Sequence, residues 1–451
     1  MTRLFAATAV LGSLGLLLVG TTEARAQSAG NESTIASFDP SQPVAPISGV
    51  EGDGWKVGEG TVLLPVFGLE TGVINNVFYD ANSPKTGGLL RIMAQIGVGS
   101  LTNARLRANA VSDPNGAEGQ DAPAGDFEYR ADLRLSYDQM LSGNEAVSGS
   151  GGLGVGATIK GTVRPQGTWS FGFSDEFRRL IRAANFETDA NTDRDINELG
   201  LRLKYQPPSS KFGGQLYYLN TIDIFERSEQ SFADRMANRI GLRPTFRWLP
   251  QTQFFIDVSQ GFQGGLGSAA NMKVSSYPFT ALGGLNTLIT EKITVNVQAG
   301  YTNGFYASGP SYSSVTAGAS VGYRYSPLGR AVLTYDLAYA DSVNSNFYRD
   351  HVLRLWVHQL FVPFELSVQP EVHFRSYEGT IIAGTGGQRT RDDVIFSVVA
   401  GMQYNFRNWI AATLNYHFTA VATDFTYMTD GIVKDPSFVR HELLVGVRAA
   451  L

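Results

Sequence analysis

From Thr61 to Leu451 the chain is a succession of segments of about ten to fifteen residues in which apolar and polar positions alternate. The clearest runs from Phe127 to Asp138. Phe127, Tyr129, Ala131, Leu133, Leu135 and Tyr137 share one face, and Glu128, Arg130, Asp132, Arg134, Ser136 and Asp138 share the other. A period of two sends successive side chains to opposite sides of a strand, so each segment predicts a β-strand with one greasy and one ionic face. Leu153, Val155, Ala157, Ile159 and Val163 oppose Thr158, Lys160, Thr162 and Arg164 in the same way. Ile293–Thr302, Phe364–Arg375 and Leu443–Leu451 repeat the arrangement.

The connections alternate in length. Short, turn-prone ones are Pro165-Gln166-Gly167, Pro207 to Lys211, Pro250-Gln251, Thr290-Glu291, Pro327-Leu328-Gly329, Val362-Pro363 and Arg407-Asn408. Longer polar ones are Ser142 to Gly149, Ala183 to Arg194, Glu226 to Arg235, Gln263 to Ser276, Tyr306 to Tyr312, Glu378 to Arg391 and Thr426 to Pro436. This asymmetry is that of a transmembrane antiparallel up-and-down β-barrel, with short turns on one side of the membrane and long loops on the other. An upward first strand from Thr61 and a downward last one at Leu451 give about eighteen strands, provided that Leu101 to Asp126 is one connection. A further strand at Ala104 to Val111 would change that count, so the range is about sixteen to twenty.

Alternation alone also suits a soluble sandwich. Two features favour the membrane. Strand follows strand over the whole span with no interdomain linker, and aromatics gather near strand ends, at Trp169, Phe171 and Phe173, at Phe246 and Trp248, at Tyr323 and Tyr325, and at Tyr404, Phe406 and Trp409. Rings there match interfacial girdles.

The remaining segments carry processing and linker signals. Met1-Thr2-Arg3, an apolar run from Leu4 to Gly20, and Ala24-Arg25-Ala26 before Gln27 have the three parts of a secretory signal peptide, with residues 1–26 removed on export; a retained anchor is the alternative. Residues 27–60 are rich in Ser, Gly, Pro and acids and are expected to be a flexible periplasmic extension or a lumen plug. There is no Cys, hence no lipid attachment, disulfide or thiolate metal site. No apolar window after Gln27 is long enough for a membrane helix. The net charge of −5, or −6 without Arg3, Glu23 and Arg25, argues against nucleic acid as a partner.

Within Leu63–Pro84, LLPVFGLETGVINNVFYDANSP, the residues Gly72, Asn76, Val77 and Phe78 resemble the end of the first strand in the β-barrel porin 2 family. Val73, Ile74 and Asn75 depart from that family's usual Tyr-Asp-Asp. The resemblance implies an outer-membrane channel of unassigned substrate, in some members associated with exopolysaccharide export, and it supplies no catalytic residues.

In a barrel of this width the inward face sets what passes. The polar faces carry Arg130, Arg134, Lys160, Arg164, Arg202, Lys204, Arg243, Arg247 and Arg324, with Glu128, Asp132, Glu365 and Glu371 as acidic counterparts. Several of the basic residues are expected to form a partial ring near the periplasmic end that favours anions; a balanced, unselective polar lumen is the alternative. His358, His373 and His417 fall on polar faces, while His351 and His441 complete the histidines. None is flanked by a nucleophile and an orienting acid, and no G-x-S-x-G elbow or phosphate loop occurs. The sequence therefore points to a non-enzymatic outer-membrane porin-like channel without cofactor or metal, passing small hydrophilic solutes and partnered by outer-membrane lipids and the barrel-insertion machinery. Exopolysaccharide exit, or a filled structural or adhesive barrel, are the alternatives.

Overall fold

The computed structural model describes residues 54–451 apart from 59, 101–124, 182–192, 267–272, 344, 382–387 and 430–431. The alternating segments form one antiparallel sheet. In chain order its strands are β1 (Trp55–Val57), β2 (Thr61–Ile74), β3 (Gly87–Ser100), β4 (Phe127–Leu141), β5 (Gly152–Val163), β6 (Trp169–Leu180), β7 (Arg194–Tyr205), β8 (Phe212–Phe225) and β9 (Arg235–Leu249). They continue with β10 (Thr252–Gly265), β11 (Phe279–Thr290), β12 (Ile293–Asn303), β13 (Ser313–Ser326), β14 (Gly329–Asp341), β15 (Phe347–Phe361), β16 (Phe364–Ile381), β17 (Gln388–Arg407) and β18 (Ile410–Thr423). After a small hairpin of β19 (Tyr427–Thr429) and β20 (Ile432–Lys434) comes β21 (Phe438–Ala450).

Each long strand pairs with its chain neighbours, and β2 pairs with β21, which closes an 18-stranded barrel. Closure leaves no unpaired edge, the condition for a sheet to sit in lipid. Strand β1 pairs with Thr61–Leu63 of β2, so three residues of the segment expected to be flexible belong to the sheet; residues 27–53 lie outside the described residues. Strands β3 and β4 pair directly with each other, with residues 101–124 likewise outside the described ones.

All the predicted short turns fall at one rim and all the predicted long connections at the other. Strand β10 runs to Gly265, three residues into an expected loop, and the largest difference is at another. Glu378 to Arg391 reads as a loop, but β16 and β17 run on to Ile381 and back from Gln388. The sequence there, Glu-Gly-Thr-Ile at 378–381 and Gln-Arg-Thr-Arg at 388–391, carries no alternation of apolar and polar residues, although the ladder continues.

The outward face is apolar. Ile256 is 57% exposed, Leu242 55% and Ile92 55%, with Leu133, Val297, Leu353 and Val445 in the same band. Below it, beside the short turns, paired rings form a belt: Trp169 and Tyr205 at 4.6 Å, Phe212 and Phe246 at 5.0 Å, Phe364 and Tyr404 at 4.7 Å. Meanwhile Arg91, Arg243, Arg375 and Arg448 are fully buried on the inward side. Water would solvate the opposite arrangement; this one matches hydrocarbon outside and a polar interior.

At the long-loop end the inward rule changes. Ile74, Leu89, Met140 and Leu444 point inward and pack with Val77 and with Val147 of the short helix α1 (Glu145–Ser148), which is capped by Asn144. They are apolar because the first long loop folds in over them.

Candidate functional site

Strand parity decides which side chains face the lumen, and register decides which of them meet. The row Glu70, Arg91, Asp138 lies straight across β2, β3 and β4. Arg91 donates from Nε and Nη2 to the two Asp138 oxygens at 2.7 and 2.9 Å and approaches Glu70 at 3.6 Å. From β21, Arg448 Nη2 donates to Glu70 Oε1 at 2.9 Å. Glu70 fits because its partner across the seam is Gly446; a Cβ there would stand 2.6 Å from Glu70 Cγ. The seam between first and last strands is thus spanned by a buried ion network, and such charges persist in a low-dielectric wall only when paired.

A second network joins β15 and β16. Asp350 Oδ2 accepts from Arg375 Nη2 at 2.7 Å and lies 2.9 Å from His373 Nδ1, while His373 Nε2 is 2.5 Å from Glu371 Oε1. Glu371 Oε2 accepts from Arg354 at 2.5 Å. Same-strand pairs two residues apart complete the charged sector: Arg130 with Asp132 at 2.7 Å, Arg391 with Asp393 at 2.7 Å, and Arg440 with Glu442 at 3.0 Å.

Between them lies a sector of another kind. The inward positions of β11–β13 are Thr280, Leu282, Gly284, Asn286, Leu288, Thr294, Asn296, Gln298, Gly300, Thr302, Ser314, Thr316, Gly318, Ser320 and Gly322, all uncharged until Arg324 near the rim. Asn296 donates to Asn286, and the Thr280 and Thr302 hydroxyls are 3.1 Å apart.

The long-loop mouth is narrowed by inward-folded chain. Asn76, at φ 56°, accepts from the Asp80 N–H and donates to the carbonyls of Asp80 and, across the seam, Val439. Asn tolerates this left-handed backbone better than most residues. Tyr79 packs edge-on against Phe438. The residues that carry the family resemblance therefore have distinct jobs: Gly72 lets the Leu443 carbonyl approach, Asn76 ties the loop to the last strand, and Val77 fills the apolar cluster.

On the opposite arc Arg235 bridges Asp223 at 2.9 Å and Asp341 at 2.7 Å, and Lys273 reaches Asp341 at 3.3 Å. Tyr306 donates to the Asn346 carbonyl at 2.8 Å. Burial pushes the Tyr306 phenol well above its usual range and that of Tyr312 up to about 12, so both hydroxyls stay protonated.

Of the residues singled out in the sequence, Arg130, Arg134, Lys160, Arg202, Lys204, Arg243, Arg247 and Arg324 occupy inward positions, as do Glu128, Asp132, Glu365 and Glu371. Arg164 does not. Strand β5 ends at Val163, and Arg164 sits exposed in a left-handed turn, φ 51°, closed by the Gly167 N–H on its carbonyl. Arg243 is less a ring member than a wall element, 3.7 Å from Asp257 and stacked 3.8 Å over the Phe255 ring. His358 pairs with Glu365 at 2.9 Å, His417 lies 3.2 Å from the Thr419 hydroxyl, and His351 and His441 face outward beside Tyr335 and Tyr416. Among the described residues no group of His, Cys, Asp and Glu is placed to hold a metal.

Glu70, Arg91, Asp350, Arg375 and Arg448 were not singled out from the sequence. Part of the charged wall had a signal there, the Arg-x-Asp or Arg-x-Glu spacing of Arg130, Arg391 and Arg440; the seam network had none, because its members lie far apart in the chain.

No family model and no curated protein matches the chain, so the resemblance to the β-barrel porin 2 family rests on Gly72 and Asn76–Phe78 alone. Solved structures give remote likenesses. The outer membrane protein opdK from Pseudomonas aeruginosa matches at 10% identity and TM-score 0.44, covering 88% of this chain and all of that one. OccAB3 from Acinetobacter baumannii matches at 12% and 0.41 with the same coverage. The siderophore receptor PirA from Acinetobacter baumannii matches at 8% and 0.38, covering 88% of this chain and 81% of that chain.

Proposed function

We propose that this chain is an outer-membrane channel through which small hydrophilic solutes diffuse passively, and that it performs no catalysis. The observation that carries the reading is the inside-out closed barrel, apolar and girdled outside, charged and hydrogen-bonded inside. Barrels of sixteen to eighteen strands are wide enough for an aqueous passage. The inward-folded first loop and the Arg235–Asp341 bridge would narrow that passage on the long-loop side, so a small pore is expected. Outer-membrane lipids and the insertion machinery are the partners this reading requires.

The lumen would favour anions. Several inward basic residues near the short-turn end lie beside the uncharged β11–β13 sector, and a confined, weakly screened passage focuses their field. The test is single-channel recording on the full chain reconstituted in a planar bilayer, under a salt gradient. Stable openings with an anion-directed reversal potential are expected; a folded barrel that never opens would overturn the channel reading.

A further inference from the structure

Strand β9 places an arginine at every second inward position: Arg235, Arg239, Arg243 and Arg247, with Ala237, Gly241 and Thr245 between them. At a rise of about 3.3 Å per residue the steps are about 13 Å, so the series runs the depth of the wall. Its members are of two kinds. Arg235 is held by Asp223 and Asp341, and Arg243 by Asp257 and the Phe255 ring. Arg239 and Arg247 are half-buried, and their guanidinium groups hold no hydrogen bond or ion pair among the described residues.

Neither has a carboxylate as its cross-strand partner. Arg247 lies opposite Gln253 of β10, and Arg239 opposite Gly261 and Leu219, with the Tyr217 and Tyr312 phenols near its guanidinium. The next wall, β11–β13, offers hydroxyls and amides but no carboxylate. A guanidinium binds a planar oxyanion through paired N–H donors, and it does so best where no fixed carboxylate competes.

We propose that β9 is an oxyanion track. Arg239 and Arg247 bind the carboxylate or phosphate of a solute in the lumen, the two anchored arginines are neutralised by their carboxylates and leave these two as the charged stations of the strand, and the β11–β13 wall solvates the hydroxyl-bearing remainder. This rests on the channel reading and names its substrate class.

The test compares the full chain with Arg239→Gln/Arg247→Gln and with the charge-keeping Arg239→Lys/Arg247→Lys, using gradients of potassium chloride and then sodium gluconate. The Gln pair should lower the anion-to-cation permeability ratio by about twofold or more at 0.1 M salt and by less at 1 M, where the Debye length shrinks to about 3 Å. The Lys pair should restore most of the ratio and thereby separate lost charge from altered packing. An unchanged ratio in the Gln pair, with wild-type openings intact, overturns the track and leaves the channel. If the wild type does not open, calorimetric titration of the detergent-solubilised barrel with sodium gluconate decides: binding lost in the Gln pair keeps the oxyanion site without a channel, and equal or absent binding ends it.

Discussion

The two halves of the lumen wall solve the same problem differently. Across β21, β2, β3 and β4, buried Arg448, Glu70, Arg91 and Asp138 form a continuous ion network, whereas across β11–β13 the wall is filled by Thr, Ser, Asn, Gln and Gly with Leu282 and Leu288. A buried ion network fixes register strongly, because losing one member strands its partners in a medium that solvates charge poorly. The neutral wall makes bonds of ordinary strength and tolerates their loss. The charged half lies where the barrel must join its first strand to its last, and the neutral half lies where β9 presents its unengaged arginines to the passage.

The largest effect should come from breaking the charged half. Arg91→Ala leaves Glu70 and Asp138 without their shared cation and should destabilise the barrel by about 3–5 kcal/mol. Denaturant unfolding in micelles, followed by loss of β-sheet dichroism, would read this, and a cost below about 1 kcal/mol would show the network to be dispensable. Removing both charges with Arg91→Met/Asp138→Leu should recover a large part of the loss.

Introducing charge into the neutral half sharpens the contrast. Asn296→Asp sets a carboxylate beside Asn286 with no cation across from it, which should cost about 1–3 kcal/mol and move the reversal potential toward cations. A change in stability without any in selectivity would detach this wall from the conduction path.

The seam latch ranks next. Asn76→Ala loses three hydrogen bonds and strains a left-handed backbone, for about 1–3 kcal/mol; Asn76→Gly relieves the backbone alone and should fall between. Equal stability of the Ala and Gly variants would assign the whole effect to the amide. The smallest effect is expected for Thr280→Val, where the half-buried hydroxyl pair with Thr302 is lost at about 0.5–1.5 kcal/mol with selectivity unchanged.

Local pattern along the chain was not enough for β1, the β19–β20 hairpin or the far ends of β16 and β17, but it was enough for the eighteen long strands, their parity and the rim at which each connection lies. Those follow from local physics: a period of two sorts side chains to two faces, and Pro-, Gly- and Asn-containing connections end the ladders. The same alternation groups Arg130, Asp132, Arg243 and Glu371 with the polar positions of their strands, and all four are inward positions of the barrel. Arg164 misled because parity was carried one residue past the end of the strand, into a turn where it no longer applies.

Which side chains meet is a matter of closure and register. Glu70 and Arg448 are separated by almost the whole chain, and their contact exists because closure lays β21 beside β2 in one register. The relay through Asp350, His373 and Glu371, the loop tied by Asn76 to Val439, and the division of the β9 arginines into held and unheld pairs depend equally on register and on loops folding inward. No alternation pattern encodes those contacts, since a strand's face is a local property and its partner is not.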